Sequence, residues 1–162
     1  MNRRFALKSA ICAVATASFA ACVPVATEGN VIDVMAANSD FTTLIAAATA
    51  ADIVTPMSTL GPFTVFAPSN AAFDALPAGT LENLLLPENK DQLYAIMVYH
   101  VVPGTVTTEQ MAGQRLTLAT INNAGLPVDG RDGLKVGGAT VTAGDTPASN
   151  GVIHTIDRLL MP

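Results

Sequence analysis

The chain has no tryptophan, two tyrosines and six phenylalanines. With so few aromatics, alanine, valine, isoleucine and leucine have to fill its core. Cysteine occurs only at Cys12 and Cys22. Everything after position 22 therefore lacks an internal disulfide, and lacks a thiolate for nucleophilic or metal chemistry. Basic residues are scarce: eight Lys and Arg stand against thirteen Asp and Glu, a net charge of −5. Setting aside Arg3, Arg4 and Lys8 at the N-terminus leaves five cations against thirteen anions, or −8. Five scattered cations cannot build the basic patch that nucleic-acid phosphates require, which excludes nucleic acid as a partner. Asn-x-Ser/Thr sequons are absent as well. What the chain has in quantity is apolar: half of its 162 residues are hydrophobic and only 13% are charged. That is the composition of one packed domain, not of a disordered chain.

The N-terminus reads as a targeting segment. MNRRFALK places Arg3, Arg4 and Lys8 ahead of an apolar run over 9–21. The run has the length of a signal h-region and is too short to cross a bilayer as a helix. FAAC, at 19–22, then resembles a lipobox, in which Cys22 would be diacylated and become the first mature residue. The alternative is ordinary cleavage after Ala20, because Ser18 and Ala20 are small residues on either side of Phe19. Arg3-Arg4 loosely resembles a twin-arginine signal, so the export route stays open. The expected organisation is a lipoprotein-type signal peptide over 1–21, a polar tether over 22–30 and a single domain over 31–162.

Within that domain Phe41, Leu44, Ile45 and Ala48 recur at helical spacing. NSD interrupts the run, which predicts helices over 31–37 and 40–51 with Ser39 as the N-cap of the second. FTVFA, bounded by Pro62 and Pro68, predicts a strand over 63–67. Ser69 is then placed to cap a short helix carrying Phe73 and Leu76. TLENLLLPENKDQLYAIMVYH predicts two helical pieces split at Pro87, with Leu93, Ile96, Met97 and His100 on one face of the second. Val101 and Val102 should leave the helix ahead of Pro103. After Val106 the pattern changes to β-rich runs, RLTLAT, LPVDG, LKVGG, ATVTAG and VIHTID, separated by Gly- and Asn-containing turns. Helices first and most strands later predict an α+β fold.

Two histidines invite a catalytic or metal reading. His154 shares a strand face with Val152 and Ile156, while Asp157 falls on the opposite face. His100 ends a core stripe, where water at the helix end could replace its bonds. Zinc needs three or four ligands, and neither histidine has an HxxxH or HxH neighbour or a cysteine. Both are therefore expected to be fold residues hydrogen-bonded inside the core. No G-x-S-x-G is present. Ser69 follows a strand and opens a helix, but capping accounts for it. Ser149-Asn150-Gly151 reads as a turn whose Asn and Gly accept positive φ. Asp129 and Asp132 are far short of a calcium cage. The expected sets of catalytic, cofactor-binding and metal-binding residues are all empty.

FTVFAPSNAAFDALP, YHVVPG and ASNGVIHTIDRLLMP, in this order and spacing, resemble the signature blocks of the fasciclin domain family. The resemblance covers about 30–162. It implies a wedge-like β-sandwich of about seven strands with flanking helices, and a family role in adhesion and matrix contact by exported proteins. It places Phe66, Pro68, Ser69, Phe73, His100, Gly151, His154 and Asp157 in the structural family motif. In relatives the dipeptide at Tyr99-His100 is linked to adhesion, which makes the pair a candidate interaction site. The alternative is that Tyr99 packs at the helix end with its hydroxyl bonded. The resulting expectation is a non-enzymatic exported protein, anchored to a membrane through Cys22. It would contact a protein or glycan at the cell surface or matrix and need no cofactor. A periplasmic or surface carrier of a small molecule or glycan is the first alternative, and a hydrolase the second.

Overall fold

The computed structural model describes residues 29–162; the expectations for the signal peptide, for Cys22 and for most of the tether lie outside the described residues. Helix α1 (Val31–Ala36) opens the fold. Asn30 caps it: its side-chain oxygen accepts the N–H groups of Ile32 and Asp33, and the Asp33 carboxylate accepts the Asn30 N–H in return. A 3-10 turn (Ser39–Phe41) leads into α2 (Thr42–Ala50). The cap here is Asn38, whose side chain accepts the Asp40 N–H at 3.0 Å, and not Ser39 as the sequence suggested. The tight 3-10 turn takes in Ser39 and moves the cap one residue back. Phe41, Leu44 and Ala48 of the apolar stripe are buried, and Ile45 packs against them.

Helix α3 (Val54–Thr59) is unexpected, because VTPMST carries three β-branched residues and a proline. Pro56 is tolerated in the first turn, where its missing N–H has no intrahelical partner to lose. The chain continues into β1 (Phe63–Pro68), α4 (Asn70–Asp74), α5 (Thr80–Leu84), a 3-10 turn at Pro87 and α6 (Lys90–Tyr99). Ser69 occupies the N-cap position of α4, but its hydroxyl makes no cap bond; only its carbonyl engages, accepting from Ala72 and Phe73. The break at Pro87 and the buried stripe Leu93, Ile96, Met97, His100 follow the sequence pattern. Strand β2 (Val101–Pro103) leaves the helix as Pro103 requires. A one-turn helix α7 (Thr108–Met111) then interrupts the β-rich half, held by a Thr107–Gln110 capping box and by the buried Met111. Strands β3 (Arg115–Ala119), β4 (Gly125–Asp129), β5 (Lys135–Val136), β6 (Ala139–Ala148) and β7 (Gly151–Ile156) complete the chain.

Seven strands form a mixed sheet in the order β2-β1-β7-β6-β5-β4-β3, an α+β architecture with flanking helices. Only β1 and β7 run parallel, with Phe63 opposite Gly151 and Pro68 opposite Ile156. Long β6 belongs to both halves: Ala139 and Thr140 pair with β5, and the rest pairs with β7. Strand alternation then makes two cores. Val65, Ala67, Val101 and Ile153 face helices α1, α2, α3 and α6. Phe66, Val102 and Ile156 point the other way, onto Leu126, Val128, Val136 and Ala139 from the second half of the sheet. Strand β1 is thus covered on both faces, which is why its sequence carries apolar residues on both and does not alternate, with buried Thr64 bonded to the Gly104 carbonyl. Beyond β3, the Ile121 N–H reaches the Val101 carbonyl of β2 at 3.0 Å and ties the two ends of the sheet order together.

Candidate functional site

The three sequence blocks meet around Phe66. Its N–H donates to the His100 carbonyl at 2.9 Å. It lies opposite His154 in the β1–β7 register, and its ring stacks on the imidazole at 5.4 Å. One residue past β1, the Ser69 N–H reaches the Ile156 carbonyl.

Both histidines lie in this knot, 2% and 0% exposed for His100 and His154. His100 accepts the Leu160 N–H at Nε2, 3.0 Å away. Its Nδ1 must then carry the proton that meets the Ile96 carbonyl at 2.7 Å. His154 is the other tautomer. Its Nδ1 accepts the Asp145 N–H at 3.1 Å, so Nε2–H donates to the Val106 carbonyl at 2.8 Å. Burial lowers the pKa of His100 to about 4, against the smaller opposing effect of the Ile96 bond. Burial also lowers that of His154, opposed by the Val106 bond and the Asp145 charge. Two neutral rings with every nitrogen bonded to backbone hold loops in place: the C-terminal tail at Leu160, and a bulge of β6 at Asp145.

That bulge is packed tightly. The β6–β7 register shifts between Val141 and Ala143 and again between Ala143 and Thr146. Asp145 takes a left-handed backbone, φ 56°. Its carboxylate accepts the N–H and hydroxyl of Thr108 on α7. Partial burial alone would raise the Asp145 pKa, but the two Thr108 bonds and the nearby His154 outweigh it and hold it low. A Cβ on Gly144 would sit 2.3 Å from Thr108 Cγ2 and 3.3 Å from His154 Nδ1.

The remaining motif residues are structural in position. Tyr99 is 7% exposed and its hydroxyl donates to the Gly125 carbonyl at 3.4 Å. Tyr99 and His100 therefore lie inside the molecule, and neither side chain is presented to a partner. Pro68 and Phe73 are buried, and Asp157 accepts the Thr140 N–H at 2.7 Å. Gly151 is needed for a reason other than the positive φ expected of the turn. Its φ is ordinary, but a Cβ there would lie 2.0 Å from the Phe63 carbonyl oxygen. Asn150 is the residue the sequence reading undervalued. Its side-chain nitrogen donates to the Met57 and Leu60 carbonyls at 2.8 and 2.9 Å, and its oxygen accepts the Val31 N–H at 2.8 Å. Asp129 is engaged by Arg131 and Arg115, and the Arg131 bonds hold its carboxyl well below the usual range.

The open feature of this face is a recess of about 480 Å³ between the 3-10 turn, the start of α4, the β6 bulge and β7. Asp40, Phe41, Ser69, Thr142, Thr146 and Thr155 are among its lining residues. Of the family-motif residues singled out from sequence, Ser69 lies here. The rim is fixed by Asn70, which donates to the Ser39 carbonyl at 2.8 Å and to Thr42 Oγ1 at 3.0 Å, and accepts the Thr43 N–H at 3.1 Å.

Comparison with known proteins bears on this geometry. The family model described as the fasciclin domain matches residues 39–162. Protein sll1483 of Synechocystis sp. is 48% identical over 134 residues, 82% of this chain and 73% of the relative. Cell surface glycolipoprotein MPB83 of Mycobacterium bovis is 40% identical over 103 residues; the match covers 63% of this chain and 44% of the relative, so the chain aligns with less than half of it. Among solved structures, a FAS1 domain pair from the insect cell adhesion molecule Fasciclin I superposes with a TM-score of 0.54 at 23% identity, covering 73% of this chain and 42% of the other. That last likeness is one of fold.

Proposed function

The chain belongs to the fasciclin domain family, and from that premise we propose that it is a non-enzymatic exported protein that contacts a protein or glycan at the cell surface or matrix. The observation that carries this reading is the state of its two histidines. Each nitrogen of both rings is bonded to a backbone group. Neither ring has a nitrogen left to take a proton from a substrate or to bind a metal, so the residues best suited to chemistry work for the fold instead. The relative named as a cell surface glycolipoprotein and the fold neighbour named as a cell adhesion molecule support the location and the role. No helix among the described residues is long and apolar enough to cross a membrane; the anchor in this reading is a lipid on Cys22.

Deletion of the chain from its own cells tests the role. Surface attachment should fall and return on complementation; unchanged attachment, or turnover of a substrate by the purified protein, would overturn it. The anchor is tested by the intact mass of the exported protein. It should exceed the chain from Cys22 by acyl groups. A mature N-terminus at Ala21 with no added mass would rule the anchor out. A second reading, a carrier of a small molecule or glycan, is favoured by one observation, the recess beside Ser69.

A further inference from the structure

We propose that the recess between the 3-10 turn, α4 and the β6 bulge is a binding site for neutral sugar units, reading hydroxyl groups and excluding anions. The inference rests on the reading that this chain meets a glycan, and it supplies the site.

The hydroxyls of Ser69, Thr146 and Thr155 line the recess and have no hydrogen-bond partner within the described residues. They are also not buried, because no buried side-chain oxygen or nitrogen lacks a partner. A hydroxyl can donate and accept, and a sugar hydroxyl can do the same, so each of the three can pair with a sugar oxygen without a change of charge. The Asp40 carboxylate joins them and makes no side-chain bond of its own. No Lys or Arg lines the recess. A phosphate, sulfate or uronate would meet this carboxylate with no cation to offset it, whereas sugar hydroxyls would donate to it. Between the polar groups Val34 and Ala143 present small apolar surface suited to the C–H faces of a sugar ring, over a floor of nearly buried Phe41 and Ile153. The volume of about 480 Å³ falls within the roughly 300–1,000 Å³ of ordinary small-ligand sites.

The site is also built before any ligand arrives. Asn70 clamps one rim. The opposite wall is the β6 bulge, held by His154 from below and by Thr108 from the side. A site with fixed walls loses less freedom on binding, which matters for a weak, hydroxyl-only recognition. It also gives the bulge a use: an unbroken β6–β7 ladder would not bend away from β7 here.

Titration of the 15N-labelled domain with cellotriose and maltotriose is the test. Saturable shifts should appear at the amides of Ser69, Thr146 and Thr155, and a trimer of glucuronate should bind at least about tenfold more weakly. Ser69→Ala/Thr155→Val should weaken the neutral sugars about tenfold with the melting temperature unchanged, and Asp40→Asn should narrow the gap to the uronate. Retention on a soluble neutral polysaccharide, run beside the trimers, separates a polymer chain from a free sugar as the source. Absence of saturable shifts, shifts outside the recess, or unchanged affinity in the double variant would each overturn the proposal. If wild type binds no sugar while deletion still reduces attachment, the recess fails and the surface role stands. If the recess binds sugar and deletion leaves attachment intact, the reverse holds.

Discussion

His154 is fully enclosed, stacked on Phe66 and bonded at both nitrogens to backbone, the Asp145 N–H of the β6 bulge and the Val106 carbonyl. His154→Ala removes a ring from the second core and strands the Asp145 N–H and the Val106 carbonyl. The expected cost is on the order of 2–4 kcal/mol, a cavity together with unsatisfied backbone groups. The sequence suggested a milder loss for His100, because a helix end is ordinarily wet. The structure removes that distinction: the chain folds back over the ring, and Leu160 both covers it and bonds to it. His100→Ala is therefore expected to cost a similar amount, on the order of 2–4 kcal/mol. Urea unfolding of both variants measures this. A His154→Ala protein that unfolds like wild type yet loses all binding would make His154 a functional residue. The burial of both rings was legible from their spacing among Val, Ile and Leu. Their tautomers were not, because the partners Leu160 and Asp145 are brought in by tertiary folding.

At the level of elements, β1, α6 and β7 follow directly from their patterns, since each buries a complete face and periodicity records burial. The missed elements, α3 and α7, are short and end-stabilised. Their register comes from the capping box of α7, from Asn150 on the last carbonyls of α3, and from single anchors, Met57 and Met111, which leave no repeat to read. The recess was invisible for the same reason, as its walls stand about one another only after Asn70 has joined Ser39 and Thr42. The turn between β6 and β7 shows how such joins are made. Asn150 ties α1 and the end of α3 to the sheet through three bonds to backbone atoms. Gly151 lets β7 lie directly against the β1 backbone. In Gly151→Ala the new methyl meets backbone, not a side chain that could swing away, so the strands must separate locally. A loss of about 1–3 kcal/mol is expected. Gly79→Ala serves as the comparison, because a Cβ there meets nothing and only its φ of 85° resists. Thermal unfolding that places Gly151→Ala at or above Gly79→Ala in stability would contradict the close approach of β1 and β7.

For the molecule as a whole, two neutral buried imidazoles make the fold sensitive to acid in a defined window. The folded pKa of His100 is lowered from 6.5 to about 4. Below 6.5 the unfolded chain binds a proton that the folded one refuses, so stability present above that pH is progressively lost down to about 4. The lowering corresponds to roughly 3 kcal/mol at about 1.36 kcal/mol per unit of pKa. His154, lowered in the same direction, adds to the loss over the same side of neutrality. Asp129 and Asp145, whose folded pKa values are depressed, act later: their contribution is present above the ordinary carboxylate value of 3.8 and is lost only below it. Acid destabilisation should therefore begin in the histidine range, before Asp129 and Asp145 lose their contributions. Urea midpoints measured from pH 8 to pH 4 should be flat above about 7 and then fall steadily through the histidine range. A midpoint that stays level down to pH 4.5 would mean that at least one ring is charged in the native state. The hydrogen bonds assigned to Leu160 and Asp145 would then have to be redrawn.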